Sequence, residues 1–214
     1  MQCSIFPGTL VSQVLGLASA SLVSCTVLAG LFGYQETQRD DMKMFPQWLS
    51  VLERHIHDNI PEGLCQTRLL DACHLKKWHE FIASIRKLAP GEQLRRVNDF
   101  ANQQAYVLDM ENYGVDDYWA TPQQFLHNNG DCEDYAIIKL LSLKQLGHDV
   151  SRMRIVVLQD TNLRLAHAVL AVDYKGDTLI LDNQVAEVVS HRYVVHYVPI
   201  YALNEQHWWM YLPN

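Results

Sequence analysis

The 214 residues fit one medium-sized domain behind a leader, and an apolar share of 49% is enough for a sizeable buried core. A formal net charge of -7 and the lack of any long run of Lys or Arg argue against a nucleic-acid binder, whose affinity rests on neutralising phosphates. The expected partner is a protein or a small molecule.

Residues 1–35 carry no charge, and 10–32 are mostly Leu, Val, Ala, Ser and Gly. That length suits the apolar region of an export signal or a spanning helix, which needs about 20 apolar residues. No Lys or Arg precedes it, yet Ala18, Ser19, Ala20, Ser21 and Ser24 offer small residues for cleavage, which favours an export signal over a permanent anchor. Leu22-Val23-Ser24-Cys25 is a poor lipoprotein box. The division expected is a leader over 1–35 and a domain over 36–214. Of the five cysteines, Cys3 and Cys25 fall in the leader. Outside the cytoplasm Cys65 and Cys73 could pair across a short loop or stay as two buried thiols; pairing would leave Cys132 odd and free.

From residue 45 the pattern is helical, with Trp48, Leu49, Leu52 and Ile56 on one face and a break at Pro61-Glu62-Gly63. A second helix is predicted over 75–88, with Trp78, Phe81, Ile82 and Ile85 inward, stopped by Pro90-Gly91. A third spans 92–107, with Leu94, Val97, Phe100 and Ala101 inward. After a loop dense in aromatics and carboxylates, Thr121 and Pro122 read as N-cap and first residue of a short helix through 126. Asn128-Asn129-Gly130-Asp131 is a turn, and a helix runs from Cys132 until Gly147 caps it. Strands are predicted over 154–159, 165–172, 178–181 and 194–200, rich in Val, Ile, Leu and Tyr. Helices followed by strands give an α+β domain with an antiparallel sheet.

Cys132 sits in the first turn of its helix, where unsatisfied N–H groups and the positive end of the macrodipole favour a thiolate. A small residue at a helix start is also unremarkable, and free cysteines are often simply buried. His167 lies between alanines in a strand, where such a ring is usually structural. The following Asp173-Tyr174-Lys175-Gly176-Asp177 suits a hairpin turn. If Tyr174 pairs with Asp177, Asp182 falls opposite Val169, on the face that carries His167. The two are then diagonal neighbours, about 7 to 8 Å apart at the backbone. A one-residue slip would separate them onto opposite faces. In the order Cys132, His167, Asp182, the histidine would take the thiol proton and the acid would fix its tautomer.

The segments 117–122, 130–136, 167–170 and 181–183 (Asp117-Tyr118-Trp119-Ala120-Thr121-Pro122, Gly130-Asp131-Cys132-Glu133-Asp134-Tyr135-Ala136, His167-Ala168-Val169-Leu170, Leu181-Asp182-Asn183) resemble the bacterial transglutaminase-like cysteine proteases of the LapG type. The likeness covers most of the chain after the leader. It implies a papain-like/transglutaminase-like cysteine protease fold and a calcium-dependent periplasmic endoprotease with Cys132, His167 and Asp182 as its triad. The substrate implied is the N-terminal region of a large surface adhesin, cut near two alanines to disperse a biofilm. The inhibitor implied is the periplasmic domain of an inner-membrane cyclic-di-GMP receptor.

Four acids crowd the nucleophile in sequence: Asp117, Asp131, Glu133 and Asp134. Uncompensated carboxylates would raise the thiol pKa, and a hard divalent cation taking their oxygens as ligands would resolve the conflict. Ca²⁺ is the cation the resemblance implies. The alternative is Asp131 as N-cap with Glu133 and Asp134 as ordinary first-turn acids. The Cys132 backbone N–H is the default oxyanion donor. Trp208, Trp209 and Tyr211 are expected to close the core, and His191, His196 and His207 to be surface or structural. Two other functions fit the same residues: an acyl transferase or amidase, or a domain that binds without cleaving.

Overall fold

The computed structural model describes residues 30–58 and 73–213. Most of the leader, the Pro61-Glu62-Gly63 break, and Cys65 with the Cys73 side chain lie outside the described residues.

Among the described residues, five α-helices form a layer around a sixth. Helix α1 (Pro46–Asp58) buries Trp48 and Val51. The stripe is rotated from the predicted one: Leu49 and Ile56 are exposed, because the inward face follows the i, i+3 step from Trp48 to Val51. Trp48 meets Trp119 edge to face and donates its Nε1 proton to the Asn204 carbonyl at 2.9 Å. Helix α2 (Cys73–Ile85) turns Trp78, Ile82 and Ile85 inward. Helix α3 (Pro90–Ala101) takes Pro90 as its first residue, so the dipeptide predicted to stop one helix also starts the next. It ends at Ala101, six residues before the predicted limit, and the chain then turns into a single-turn helix, α4 (Asp109–Asn112), that the periodicity had no means to show. Helix α5 (Pro122–Asn128) has a capping box, Thr121 with Gln124.

Helix α6 (Cys132–Gln145) is buried nearly all round. Its residues Ile137, Leu140, Leu141 and Leu143 sit between the helical layer and one face of a sheet. Gly147 takes φ +94° just past its end, a position a side chain would strain.

Among the described residues the sheet has seven strands, all antiparallel, in the order β1-β7-β6-β2-β3-β4-β5. They are β1 (Gln35–Arg39), β2 (Met153–Asp160), β3 (Leu165–Tyr174), β4 (Asp177–Leu181), β5 (Val189–Ser190), β6 (Tyr197–Leu203) and β7 (Trp208–Leu212). The four predicted strands are β2, β3, β4 and β6. The last begins at Tyr197, three residues later than predicted, after a 3-10 turn, His191–Tyr193, that Val194 caps. Ile155, Leu170, Val172, Leu181 and Leu203 face the helices. Val156, Leu158, Val169, Ala171 and Ile180 form a second cluster on the far face, closed by Leu31, Tyr197, Trp209 and Tyr211. Residues 30–34 therefore pack on the sheet. Trp208, Trp209 and Tyr211 are buried as expected, on a strand the sequence reading had not assigned.

Candidate active site

The hairpin register places the acid. Tyr174 pairs with Asp177 and Leu170 with Leu181, so Asp182 follows directly past the end of β4, diagonal to His167 across β3. His167 Nε2 lies 2.9 Å from Asp182 Oδ1, and both side chains are about 2% exposed. Two further donors hold the carboxylate: the Gln184 amide reaches Oδ1 at 2.9 Å and the Tyr197 hydroxyl reaches Oδ2 at 2.5 Å. Burial works against ionising Asp182, but the His167 bond and charge, then Tyr197 and Gln184, outweigh it and hold its carboxyl below the usual range. An ionised Asp182 assigns the proton to Nε2 of His167 and leaves Nδ1 as an acceptor. The Gln184 side-chain amide lies 3.4 Å from that Nδ1.

Cys132 and His167 line one cavity of about 210 Å³, with Ala166, Ala168, Val157, Trp119, Tyr201, Asp117 and Glu133 completing its walls. The Cys132 thiol donates to Glu133 Oε2 at 3.3 Å. Burial pushes the thiol well up, and Glu133 and Asp131 push it further, against a single stabilising bond from the Ala168 backbone. Burial first, and then the carboxylates one residue away on both sides, outweigh the helix terminus that would have favoured the thiolate.

The acids that cause this form one cluster. Asp131, Glu133, Asp134, Asp117 and Asp109 bring carboxylate oxygens together in overlapping groups within 4.8 Å. Asp131 stands at the N-cap of α6, but its side chain makes no capping bond, so the reading of Asp131 as a cap is set aside. Asp109 Oδ2 accepts from the Tyr118 amide and Asp134 Oδ1 from the Ala120 amide at 2.7 Å. Their other oxygens, Asp109 Oδ1 and Asp134 Oδ2, are buried without a partner, as is Asp131 Oδ1. Asp117 is more exposed and is held by Gln47 at 2.9 Å and by the Trp119 indole N–H at 3.2 Å. Gly130 is part of the cradle: a Cβ there would fall on Asp134 Oδ2.

Burial and mutual repulsion push four carboxyls upward, Asp109 to about 6 and Glu133 to about 10, with Asp131 and Asp134 also raised. Orphaned buried carboxylate oxygens that converge, all of them hard donors, fit a Ca²⁺ ion. Asp109 is the member that sequence reasoning missed. It lies 23 positions before Cys132 on a one-turn helix with no local spacing pattern, and only the fold of the 109–120 loop brings it in. Arg54 of α1 pins that loop through the Tyr118 hydroxyl at 3.0 Å and the Trp119 carbonyl at 2.6 Å.

The histidines given no metal role have other contacts. His191 Nδ1 accepts from the Phe32 amide at 3.0 Å, His207 pairs with Asp40 at 2.9 Å, and the His196 ring meets Tyr197.

The chain is similar to proteins of known structure. LapG of Legionella pneumophila is 29% identical, covers 75% of this chain and 87% of its own, and superposes with a TM-score of 0.60. Its calcium-bound form gives 28% identity, 76% and 86% coverage and the same TM-score. No curated protein matches the chain. Residues 63–214 match the family model described as bacterial transglutaminase-like cysteine proteinase, and the chain therefore belongs to that family and is a cysteine protease.

Proposed function

We propose that this protein is a calcium-dependent periplasmic endoprotease in which Cys132 is the nucleophile, His167 the general base and acid, and Asp182 the residue that orients His167. The observation that carries the reading is the shared cavity: a cysteine at a helix N-terminus and a histidine, hydrogen-bonded to a buried aspartate, line the same small opening. His167 Nδ1 takes the thiol proton as sulfur attacks the scissile carbonyl, and the Cys132 backbone N–H receives the developing oxyanion. His167 then protonates the departing amine. A water molecule, deprotonated by His167, hydrolyses the thioester and returns the thiol.

Asp109, Asp117, Asp131, Glu133 and Asp134 would hold the calcium ion, as the calcium-bound LapG supports. Bound there, the ion would neutralise the carboxylates that oppose thiolate formation. Glu133 would then no longer compete with His167 for the thiol proton.

The substrate proposed is the N-terminal region of a large surface adhesin, cut near a pair of alanines and released to disperse a biofilm. A cavity of only about 210 Å³, walled in part by the large rings of Trp119 and Tyr201, supports small residues beside the scissile bond. The regulator proposed is the periplasmic domain of an inner-membrane cyclic-di-GMP receptor that sequesters the protease. Both follow from similarity to the LapG type.

The test is cleavage of an adhesin fragment containing two alanines, by the wild-type chain and by Cys132→Ala, each with calcium and with a chelator. Loss of cleavage in the variant and in the chelated wild type is expected. Cleavage by the chelated enzyme would remove the calcium assignment and leave the triad. Absence of cleavage by the calcium-loaded wild type, with turnover of amine acceptors instead, would transfer the site to acyl transfer.

A further inference from the structure

Besides the Gln184 amide, the Asp182 carboxylate has a side-chain partner outside the Cys-His-Asp set. Tyr197 opens β6 and is 3% exposed. Its hydroxyl donates to Asp182 Oδ2 at 2.5 Å, and its ring meets His167 edge to face at 5.8 Å, so one side chain touches both the acid and the base. Burial and the neighbouring Asp182 push the phenol far up, and it stays a donor throughout the range in which Asp182 is ionised.

An irregularity in the sheet puts it there. Along β2, Val157 pairs with Tyr201 but Leu158 pairs with Pro199, so one residue of β6 is skipped between them. Tyr201 and Tyr197 are four apart and would share a face in a regular strand. The bulge turns them apart: Tyr201 pairs with Val157, and both line the Cys132 cavity, while Tyr197 pairs with Asp160 and reaches Asp182 and the His167 ring. The two oxygens of Asp182 then have different duties. Oδ1 receives His167 Nε2 and the Gln184 amide, and Oδ2 receives Tyr197 alone. Without the phenol, Oδ2 is left buried and free to rotate away from a geometry that places Oδ1 on His167.

We infer that Tyr197 is a positioning residue that locks the Asp182 carboxylate and, through it, the orientation and tautomer of His167. This rests on the assignment of Cys132, His167 and Asp182 proposed above. Of the other groups facing Asp182, Lys139 of α6 is buried without a hydrogen-bond partner and Asn102, which caps the end of α3, donates to the Asp182 backbone carbonyl at 2.8 Å. Neither makes the side-chain bond that Tyr197 supplies.

The experiment reads activation of Cys132 without any protein substrate, as the rate of its alkylation by iodoacetamide at neutral pH in calcium-containing buffer. Wild type, Tyr197→Phe, His167→Ala, Asp182→Ala and the Tyr197→Phe/Asp182→Ala double variant are compared. Phe keeps the ring packing, and thermal melting checks that the fold is retained. Tyr197→Phe is expected to slow alkylation about tenfold, the effect of losing a hydrogen bond to a charged group. In the Asp182→Ala background the same change should cost nothing further, since Tyr197 acts through that carboxylate. The downfield proton resonance of the His167–Asp182 bond should broaden or shift in Tyr197→Phe. Equal rates for wild type and Tyr197→Phe, with His167→Ala slow, overturn the positioning role alone, as does a full additional loss in the double variant. Equal rates for wild type and His167→Ala overturn the triad assignment and the inference with it.

Discussion

The two ends of the site are built on opposite principles. At the base end, every polar atom of the Asp182 carboxylate is bonded, and the surrounding donors hold it ionised. At the nucleophile end, three carboxylate oxygens are buried without partners, and the acids that own them are pushed toward protonation. The first is complete within the chain. The second holds repulsion that a cation would relieve, so a single ion would govern the proposed nucleophile while leaving the proposed base untouched.

Chelation is the largest way to break that contrast. Removing calcium should abolish cleavage while leaving the His167–Asp182 proton resonance in place. It should also lower the melting temperature, since a ligand at about 100 times its Kd stabilises by about 2.7 kcal/mol. For a chain of this size that is a shift of roughly 5 to 10 °C, measured by scanning calorimetry with and without chelator. An unchanged melting temperature would mean that the acid cluster holds no ion. Next in size is Asp109→Asn, which should weaken calcium binding about 10- to 100-fold by titration calorimetry. The same variant should stabilise the chelated protein at pH 8, because it removes a buried charge that only the Tyr118 amide offsets. Two effects of opposite sign from one substitution separate a ligand from a merely structural acid.

A smaller effect is the pH dependence of the chelated chain. Asp109 rises to about 6 and Glu133 to about 10, both mainly through burial. A carboxyl whose folded pKa exceeds its unfolded value favours folding while it is protonated. Its contribution is complete below the unfolded pKa and is lost as pH rises through the folded one. The melting temperature of the chelated protein should therefore fall between pH 5 and pH 8, and calcium should flatten the slope.

The base end was largely legible in the sequence and the nucleophile end only in part, for a physical reason. A hairpin with a two-residue turn fixes its register locally, so pairing Tyr174 with Asp177 was enough to place Asp182 beside His167. Cys132, Asp131, Glu133 and Asp134 are also contiguous, and their crowding was visible as a conflict of charge. Asp109 reaches the cluster through a loop pinned by Arg54, and Tyr197 reaches Asp182 through a bulge, and neither device has a periodic signature. The strand β1 is polar and exposed along its length, so alternation could not show it. The strand β7 hid behind its aromatic residues, which the sequence reading assigned to the core without an element to carry them.

The smallest effect expected extends the base end toward the leader. Phe32 adopts φ 54°, and its ring packs on Tyr197 at 5.8 Å with the planes nearly perpendicular, while its amide donates to His191. The ring thus backs the phenol that holds Asp182, from a position three residues before β1. Phe32→Ala should slow Cys132 alkylation about two- to threefold, less than Tyr197→Phe, because the hydroxyl bond survives and only its support is lost. Phe32→Leu, which keeps most of the volume, should recover part of the rate. If both variants alkylate like wild type, Tyr197 is fixed by β6 alone, and the segment before β1 only covers the far face of the sheet.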